Sequence, residues 1–519
     1  MVHMLRSSDW RRQAMLWQRL MSVVLIVVLL LPVTGGVAAH GEDDLLRVIV
    51  QRAQSGPAAE AITRALGGQV LMDLHLINSF VALVPRQSVA QLAAHPSVRW
   101  VSVDGPLARH GHQNDSPIDP ALLSVTYDLS VKADTAWQMG NWGQGVTVAV
   151  VDSGIEVKTA TGKVKSDFGD GKGRRVRARV SMIEDSAKSK DRFGHGTAVA
   201  GIIGGDGAIS GGKYVGVAPS VNLVSVKVGG DDGTGYESDL VAGLQWIYDH
   251  RDKLGVRVIN LSVTAATPQS YHTSPLDAAV EVMWFNGFVV VVAAGNDINA
   301  SQGAILYPPA NDPFVITVGA ANEMGTADLG DDVMAPWSIW GVDEAMRPKP
   351  DLVAPGVGLI TTLAPGSFFA TQYPARVVDG TYIRFGGTSA AAAVVSGAAA
   401  LLLTQEPNLT PDQVKYRLGF TANRSWPGMD PSRAGNGYLD VSQALAVPTF
   451  ESANVGVPIS RFLTPPDTDV VWDGVQWGGV QWGGVQWGGV QWGGVQWGGV
   501  QWGGVQWGGV QWGGVSWEE

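Results

Sequence analysis

The stretch FGGTSAAAAVVSGAAALLL, residues 385–403, places one serine, Ser389, at the start of a strongly apolar pattern. The run from Ala390 to Leu403 predicts a buried helix. A serine in front of an alanine-rich helix is most simply an N-cap, which satisfies a free backbone N–H. A nucleophile gains from the same position, because a helix N-terminus favours developing negative charge. The stretch alone therefore leaves a structural and a catalytic interpretation open.

Two further motifs lie upstream. VTVAVVDSGI, residues 146–155, predicts a buried strand with Asp152 at its carboxyl end, where an isolated aspartate is usually a turn residue. FGHGTAVAGIIGG, residues 193–205, places His195 between glycines at the start of an apolar helix. An isolated histidine is more often structural than catalytic. The flanking glycines nevertheless indicate that another group approaches this backbone closely.

The order of the three motifs is more informative than any one of them. Asp, then His, then Ser is the order of the subtilisin-type triad, and it differs from the chymotrypsin and α/β-hydrolase orders. Between His and Ser lies FVVVVAAGND, residues 288–297, a predicted buried strand followed by Asn296. An asparagine side chain at such a place can donate a hydrogen bond to an oxyanion.

From about Ala136 to Ala446 the chain resembles the subtilases, the subtilisin-like serine endopeptidases. KVGGDDGTGYES, residues 227–238, resembles the edge segment that pairs with substrate backbone, and VRVINLSVT, residues 256–264, resembles the strand lining the first specificity pocket. YPPANDPFVITVGA, RPKPDLVAPG and GNGYLDVSQAL also match family segments. The combination is highly specific, and it implies an α/β, subtilisin-like three-layer fold with a mainly parallel central sheet.

The resemblance also implies a mechanism and a set of site residues. Ser389 would attack a peptide carbonyl to form an acyl-enzyme, His195 would carry the proton, and Asp152 would orient the imidazole. Asn296 and the Ser389 backbone N–H would hold the oxyanion. Extended substrates would add to the cleft as a strand. The residues implied for substrate binding are Gly233, Thr234, Gly235, Ser262, Val263, Thr264, Ala294 and Gly295.

The helix behind Ser389 departs from the family's usual sequence. Ala390, Ala393 and Val394 stand where the family commonly has Met, Pro and His. Ala198 stands where many members have a second histidine, which is not part of the triad. None of these positions supplies reacting atoms, so the departures leave the expected chemistry unchanged.

Other departures concern the pocket for the residue before the cut bond. Thr264 stands where a glycine often lines this pocket, and Leu306 is expected at another small-residue position. These residues predict a shallow pocket that favours medium apolar side chains. Asp297 at the rim is expected to tolerate a basic one.

Composition excludes several classes of protein. The chain has 519 residues, of which 45% are hydrophobic and 16% charged, so it can bury a sizeable core. The net charge of −11 argues against nucleic acid as a partner. Because there is no cysteine, disulfides, Cys-ligated zinc, Fe–S clusters and a thiol nucleophile are excluded.

Metal binding is left open by the sequence. Subtilases require no cofactor for catalysis, although structural calcium is common in the family. No EF-hand loop is present, and no metal ligands are assigned. The acidic pairs Asp231-Asp232 and Asp331-Asp332 are interpreted as solvated loop charges.

Residues 1–39 carry the pattern of a secretory signal peptide. Arginines precede an apolar run from Met21 to Leu31, and small residues lead to Ala39. The run is shorter than the ~20 residues that span a bilayer, and an uncleaved membrane anchor is the alternative. We therefore expect a secreted or extracytoplasmic protein and leave association with the cell surface open.

Residues 40–115 are predicted to form a separate small domain. Between residues 45 and 104 the hydrophobic pattern gives the order βαββαβ, a ferredoxin-like α+β unit. In this context the unit resembles the subtilase propeptide, a folding chaperone and intramolecular inhibitor. Slow, non-local pairing of a parallel sheet benefits from such a template. Cleavage is expected within about residues 105–125, an exposed segment rich in Gly, Pro, His, Asn and Asp.

The catalytic domain is expected to span 116–447, followed by a proline-containing linker, 448–473, and a repeat tail, 474–519. In the tail the unit GVQWG occurs eight times, from Gly474 to Gly513. Neither a strand nor a helix places a tryptophan that recurs every five residues on one face. Two interpretations stay open: a flexible tract without a partner, or a module whose Trp rings bind carbohydrate or the cell surface.

The leading hypothesis is a secreted serine endopeptidase that acts on polypeptides and processes itself from a proenzyme. One alternative is a surface adhesion or binding protein whose subtilase domain is a catalytically idle scaffold, although the presence of the whole triad argues against it. The other alternative is a processing protease with few substrates. Broad hydrolysis of casein would separate general degradation from processing.

Overall fold

The computed structural model describes residues 45–108, 126–157, 166–169, 174–183, 190–297, 303–466, 468, 470–474, 506–507 and 510–511. The chain divides into two compact units, Met1–Leu45 and Leu46–Glu519. The expected signal peptide, most of the expected cleavage window and nearly all of the repeat tail lie outside the described residues.

The first folded part of the chain is a small α+β domain. Its elements are β1 (Leu45–Arg52), α1 (Ala58–Ala65), β2 (Gln69–Leu74), β3 (Ser79–Pro85), α2 (Val89–Ala93) and β4 (Val98–Val103). The strands form one sheet in the order β2-β3-β1-β4, with β1 antiparallel to β4 and β2 antiparallel to β3. Val48 and Val50 on β1 and Phe80 and Ala82 on β3 are buried together, since alternate residues of a strand share a face. The predicted βαββαβ order is confirmed.

The larger region that follows contains most of the strands and helices. Its strands are β5 (Thr147–Asp152), β6 (Val176–Ser181), β7 (Asn222–Lys227), β8 (Val256–Leu261), β9 (Val289–Ala293), β10 (Gly303–Ala304), β11 (Ile316–Asn322), β12 (Val333–Met334), β13 (Gly341–Val342), β14 (Pro348–Lys349), β15 (Leu352–Pro355), β16 (Leu359–Thr362), β17 (Val377–Val378) and β18 (Tyr382–Phe385). Its helices are α3 (Tyr127–Ser130), α4 (Ala133–Gln138), α5 (His195–Gly204), α6 (Glu237–Asp249), α7 (Arg251–Leu254), α8 (Pro275–Phe285), α9 (Phe368–Gln372), α10 (Thr388–Gln405), α11 (Pro411–Phe420), α12 (Pro431–Ala434) and α13 (Val441–Ala446). Two short strands, β19 (Gln506–Trp507) and β20 (Val510–Gln511), lie in the tail.

The central sheet has eight strands. Seven follow the order β12-β11-β9-β8-β5-β7-β6, and β15 pairs with β11. The pairings are parallel except for the short pair β11–β12. Every residue of β5, β9 and β11 is buried, which is typical of a parallel sheet covered on both faces. The expected α/β fold with a mainly parallel central sheet is confirmed.

Helices cover this sheet in packed pairs. Helix α5 packs against α10, and α6 packs against α8, and both pairs also contact the central strands. Within the described part of the chain, Thr388–Gln405 alone is long and apolar enough to cross a membrane, and it is mostly buried inside the protein. It is the core helix that the opening motif predicts.

The segment expected to be a linker, 448–473, buries part of its hydrophobic side chains in the core of the larger region, whereas Phe450, Val455 and Val471 are exposed. Its buried hydrophobic side chains are Val457, Ile459, Phe462, Leu463 and Trp472. Trp472 stacks on Phe285 of α8 with ring centroids 4.4 Å apart, and its indole N–H donates to Asp412 Oδ2 at 2.6 Å. Burial of these apolar side chains holds the segment against the domain, despite its prolines.

Candidate active site

Asp152 and His195 meet where β5 ends and α5 begins. Asp152 is the last residue of β5 and His195 is the first residue of α5. His195 Nδ1 lies 2.8 Å from Asp152 Oδ1 and 2.9 Å from Oδ2, and both side chains are buried. A Cβ on Gly196 would overlap the carbonyl oxygen of Gly154, so the glycine after His195 permits this close approach.

A further carboxylate, Asp191, supports this pair, and the sequence motifs did not reveal it. Its Oδ1 accepts hydrogen bonds from Ser153 Oγ at 2.9 Å and from Gly194 N at 2.7 Å. Its Oδ2 accepts from the N–H and the hydroxyl of Thr197, at 2.8 and 2.7 Å. Asp191 thereby binds the first turn of α5 to the loop after β5. An aspartate four residues before His195, in DRFGHGT, is the signal that could have identified it.

The surroundings of His195 act on its pKa in opposite directions. The aromatic side chains around the imidazole are Phe193, Phe369 and Phe385, with ring centroids 5.1–6.3 Å away. Burial opposes protonation, but the charge and hydrogen bond of Asp152 and the charge of Asp191 raise the pKa of His195. The surroundings therefore keep the His195 imidazole away from water, and the two aspartates stabilise its protonated, positively charged form.

Ser389 lies in the first turn of α10, which begins at Thr388. Gly387 occupies the N-cap position without a side-chain cap, so the interpretation of Ser389 as the N-cap is wrong. The Ser389 hydroxyl donates to the carbonyl oxygen of Ser262 at 3.3 Å. Within the described residues it makes no hydrogen bond to His195, and such contacts often form only when substrate binds.

Asn296, three residues beyond the last residue of β9, carries a free hydrogen-bond donor. Its Oδ1 accepts from the N–H and the hydroxyl of Thr388, at 2.8 and 2.9 Å. Its Nδ2 is buried and has no hydrogen-bond partner among the described residues. A Cβ built on Gly387 would lie 3.0 Å from Asn296 Nδ2 and 3.7 Å from Ser389 N. Both N–H donors therefore border one small space, which the glycine leaves open.

The segment 105–108 of this chain lies in the cleft between the two predicted substrate-binding segments. Leu107 N donates to Gly235 O at 2.8 Å, and Ala108 N donates to Thr264 O at 2.8 Å. The Leu107 side chain is 6% exposed. These bonds place an extended strand between two edges, which is the geometry of substrate binding by strand addition.

Two other predicted substrate residues, Gly233 and Gly295, lie directly against neighbouring side chains. Gly233, with φ of +78°, packs so closely on Phe193 that a Cβ would lie 2.6 Å from the ring. Of the other predicted substrate residues, Ser262, Ala294 and Gly295 are buried, Val263 is partly exposed and Thr234 is exposed. Leu306 is 41% exposed, so it lies at the surface and not in a buried pocket floor. Asp297 is likewise exposed.

Asp232 and Asp331 are exposed, as expected for solvated loop charges, whereas the other member of each acidic pair is not fully solvated. Asp332 is fully buried, and burial raises its pKa to about 7. Asp231 is partly exposed and accepts from the buried Lys227 Nζ at 3.0 Å. In the part of the chain that the structure describes, no group of three or more His, Asp or Glu residues is arranged to hold a metal ion.

Comparison with known proteins adds the family. The family model described as the Subtilase family matches residues 143–437. Serine protease AprX of Bacillus subtilis is 35% identical over 308 residues, which are 58% of this chain and 66% of AprX. Subtilisin E of Bacillus subtilis is 30% identical over 372 residues, covering 71% of this chain and 82% of subtilisin E.

A solved structure agrees in fold. Fervidolysin from Fervidobacterium pennivorans, described as a keratinolytic enzyme related to subtilisin, superposes with a TM-score of 0.58 at 24% identity. The match covers 81% of this chain and 64% of the fervidolysin chain. The chain thus spans about two thirds of the length of AprX and of fervidolysin.

Proposed function

This chain belongs to the subtilase family of serine endopeptidases, and on that premise we propose that it hydrolyses peptide bonds with Ser389 as nucleophile. The observation that carries the proposal is the buried, unpartnered Nδ2 of Asn296, which borders the same space as Ser389 N. An unsatisfied buried donor costs free energy. A negatively charged oxygen formed beside Ser389 would satisfy it, and this occurs when a serine attacks a carbonyl.

The proposed reaction begins with attack of Ser389 Oγ on the carbonyl carbon of the substrate. The hydroxyl proton passes to His195 Nε2, and the imidazolium is stabilised by Asp152 at 2.8–2.9 Å. His195 then gives the proton to the leaving amine, and the peptide bond breaks to leave an acyl-enzyme on Ser389. Water attacks the acyl group with His195 again as the base, and the acid product leaves.

The small N-terminal domain is proposed to be a propeptide that inhibits the enzyme. Its last described residues, 105–108, fill the cleft with backbone hydrogen bonds to Gly235 and Thr264. A substrate that adds as a strand needs the same backbone groups. Peptide substrates are therefore excluded while this segment stays bound.

The register of the bound segment predicts where the chain is cut. Leu107 lies opposite Ala265 in an antiparallel bridge. In antiparallel pairing, each step toward the C-terminus along one segment is matched by one step toward the N-terminus along residues 256–265. Extending this register by three residues beyond Leu107 predicts that His110 faces Ser262. Because the Ser262 carbonyl oxygen accepts the Ser389 hydroxyl, we expect the cut after His110, within the predicted linker.

Substrate preference follows from the same cleft. We propose that polypeptides bind in extended form between Gly233–Gly235 and Ser262–Thr264, with Ala294 and Gly295 lining the pocket for the residue before the cut. Thr264 and Leu306 are proposed to make that pocket shallow, so that it favours medium apolar side chains. A peptide library that shows only bulky aromatic residues at this position would contradict a shallow pocket.

The ends of the chain are assigned only by their sequence. We propose that residues 1–39 are a signal peptide that directs export, and that the GVQWG tail binds cell surface or carbohydrate. Retention of the chain on cells or polysaccharide should fall when residues 475–519 are deleted; unchanged retention would contradict a binding tail. A structural calcium ion stays a proposal without assigned ligands.

Labelling with a fluorophosphonate tests the proposed nucleophile. The mature chain should gain one adduct, located on Ser389 by peptide mass mapping, and lose casein hydrolysis in proportion. Ser396→Ala is the matched control, because Ser396 lies on the same helix and donates to Asn260 Oδ1 at 2.9 Å. It should be labelled normally, and Ser389→Ala should not be labelled. Absence of both adduct and hydrolysis would favour the idle scaffold, and an adduct without casein hydrolysis would favour a processing protease.

A further inference from the structure

A segment near the C-terminus, residues 454–472, is held firmly on the catalytic region, and we name it the C-terminal belt. Asn454 Nδ2 donates to Asp412 Oδ1 at 2.8 Å. Ser460 N donates to both carboxylate oxygens of Glu281, at 2.9 and 3.1 Å. These bonds and the buried Trp472 fix the described part of the belt beside α8 and α11.

The same belt also touches the small N-terminal domain. Gln51 on β1 donates from Nε2 to the carbonyl oxygen of Phe462 at 2.7 Å, and Gln51 is 2% exposed. Arg99 on β4 donates from Nη2 to the carbonyl oxygen of Arg461 at 2.8 Å and to that of Thr464. Strands β1 and β4 are neighbours in the sheet, so both donors reach the belt from one edge region of the small domain.

The burial of these donors makes them dependent on the belt. Burial lowers the pKa of Arg99 to about 10, so its guanidinium is still charged at neutral pH. Among the described residues its hydrogen-bond partners are belt carbonyl oxygens. If the two parts separated and water did not replace these carbonyl oxygens, the half-buried Arg99 guanidinium would be left without hydrogen bonds, which costs free energy. The belt and the small domain therefore stabilise each other.

We propose that the C-terminal belt is part of the surface that binds the N-terminal domain, and that it slows the release of this domain after the cut. The inference rests on the proposed function, in which that domain is a cleaved inhibitor. Once the chain is cut, only non-covalent contacts hold the domain. The belt then adds Gln51 and Arg99 to the contacts made in the cleft.

The activation time course of the full-length chain tests this. Cutting is followed on gels, and release of the inhibitor is followed as the delay before peptide hydrolysis appears. Arg99→Ala should cut at the wild-type rate and shorten the delay about tenfold or more, because it removes hydrogen bonds from a charged donor. Gln51→Ala should shorten the delay about threefold to fivefold, because it removes one neutral hydrogen bond.

Two controls separate the belt from general damage to either domain. Arg86→Ala removes an exposed arginine of the same small domain and should leave the delay unchanged. Phe462→Ala changes the belt itself and should shorten the delay. The mature enzyme should keep the wild-type kcat/KM, and a thermal unfolding measurement checks that the variant is folded. Equal delays for wild type, Arg99→Ala and Phe462→Ala, at equal cutting rates, would overturn the proposal.

A measurement without catalysis keeps the two proposals distinguishable. In the Ser389→Ala chain, hydrogen exchange at the belt amides of Ile459 and Leu463 should rise when Arg99→Ala is added. Unchanged exchange would overturn the belt proposal, whatever the activity. If the wild-type chain neither cuts itself nor hydrolyses peptides while the exchange effect is present, the proposed function fails and the belt contact stands.

Discussion

On one side of the cleft, Asp152 and Asp191 hold His195 and the start of α5 with hydrogen bonds of 2.7–2.9 Å. On the other side, the Ser389 hydroxyl makes one hydrogen bond among the described residues, of 3.3 Å to a carbonyl oxygen, and Asn296 Nδ2 has no partner there. We call these the base side and the nucleophile side. In the proposed mechanism the base side is complete before substrate arrives, whereas substrate completes the nucleophile side.

This difference reflects what each side has to do. A base must be held in one orientation and stabilised as a cation, which fixed carboxylates achieve in advance. A donor for an oxyanion must stay unpaired until the charge develops, because only bonds that strengthen in the transition state accelerate the reaction. Substitutions on the two sides should therefore differ in their dependence on pH.

The largest effect should come from Ser389→Ala. The fold should be retained, because the substitution removes one oxygen whose hydrogen bond is long. In subtilisin, a relative, loss of the serine lowers kcat by about 10⁶-fold, and we carry that size over to this chain. Steady-state hydrolysis of a chromogenic peptide, with circular dichroism as the folding control, measures it. Residual activity above one thousandth of wild type would contradict the assignment of the nucleophile.

Asp152→Asn should produce the next largest loss, and on the base side. The neutral amide cannot stabilise the imidazolium, so kcat should fall about 10⁴-fold, the size known for this substitution in another serine protease. The pKa of His195 should fall as well, because the charge of Asp152 is a main cause that raises it. A pH profile of the residual activity checks both points. A loss that is independent of pH and smaller than tenfold would show that Asp152 does not orient the base.

Asn296→Ala should affect the nucleophile side without a change in pH profile. Removing one oxyanion donor lowers kcat about 10²- to 10³-fold, again a value known from subtilisin. Because the bond forms in the transition state, KM should change little. Thr388→Val is the matched variant, since its hydroxyl positions Asn296 at 2.9 Å and should cost less than removal of Asn296 itself. A rise in KM with unchanged kcat would mean that Asn296 only binds the ground state.

The smallest rate effect is expected for Asp191→Asn, together with a shift in pH dependence. His195 acts as a base only when neutral, so its raised pKa places the acid limb of kcat/KM above the usual value of about 6.5. Removing the charge of Asp191 lowers that pKa, and the limb should move to lower pH. Weaker capping of α5 should also cost about 1 kcal/mol of stability. Asp252→Asn, at an exposed site, should change neither quantity, and an unmoved limb in Asp191→Asn would show that Asp191 has no electrostatic role.

The parts of the site that short motifs predicted are those set by local structure. Asp152 ends a buried strand and Ser389 lies in the first turn of a core helix, and both placements follow from local hydrophobic patterns. The family resemblance then assigned roles to them. The sequence did not predict Asp191 as a site residue, because a single aspartate in a polar loop has no hydrophobic periodicity. Its importance depends on contacts with Ser153 and Thr197, which only the folded structure shows.

The C-terminal belt shows a different limit of sequence reasoning. Pro458, Pro465 and Pro466 are typical of a linker and led to that prediction. Phe462, which lies between these prolines, and Trp472, which follows them, are nevertheless buried. The partners of the belt, Gln51 and Arg99, lie more than 360 residues earlier in the chain. No local pattern encodes a pairing over that distance, whereas the βαββαβ order of the small domain is local and was predicted correctly.

Intact mass and N-terminal sequencing of the wild-type chain beside Ser389→Ala show whether Ser389 cuts the chain's own N-terminal domain away. The wild-type chain should lose its N-terminal domain and begin at Gly111, while Ser389→Ala should keep that domain. If both chains are cut alike, another protease makes the cut and self-processing is contradicted. If neither chain is cut, the propeptide assignment fails, and the idle scaffold becomes the better account of this protein.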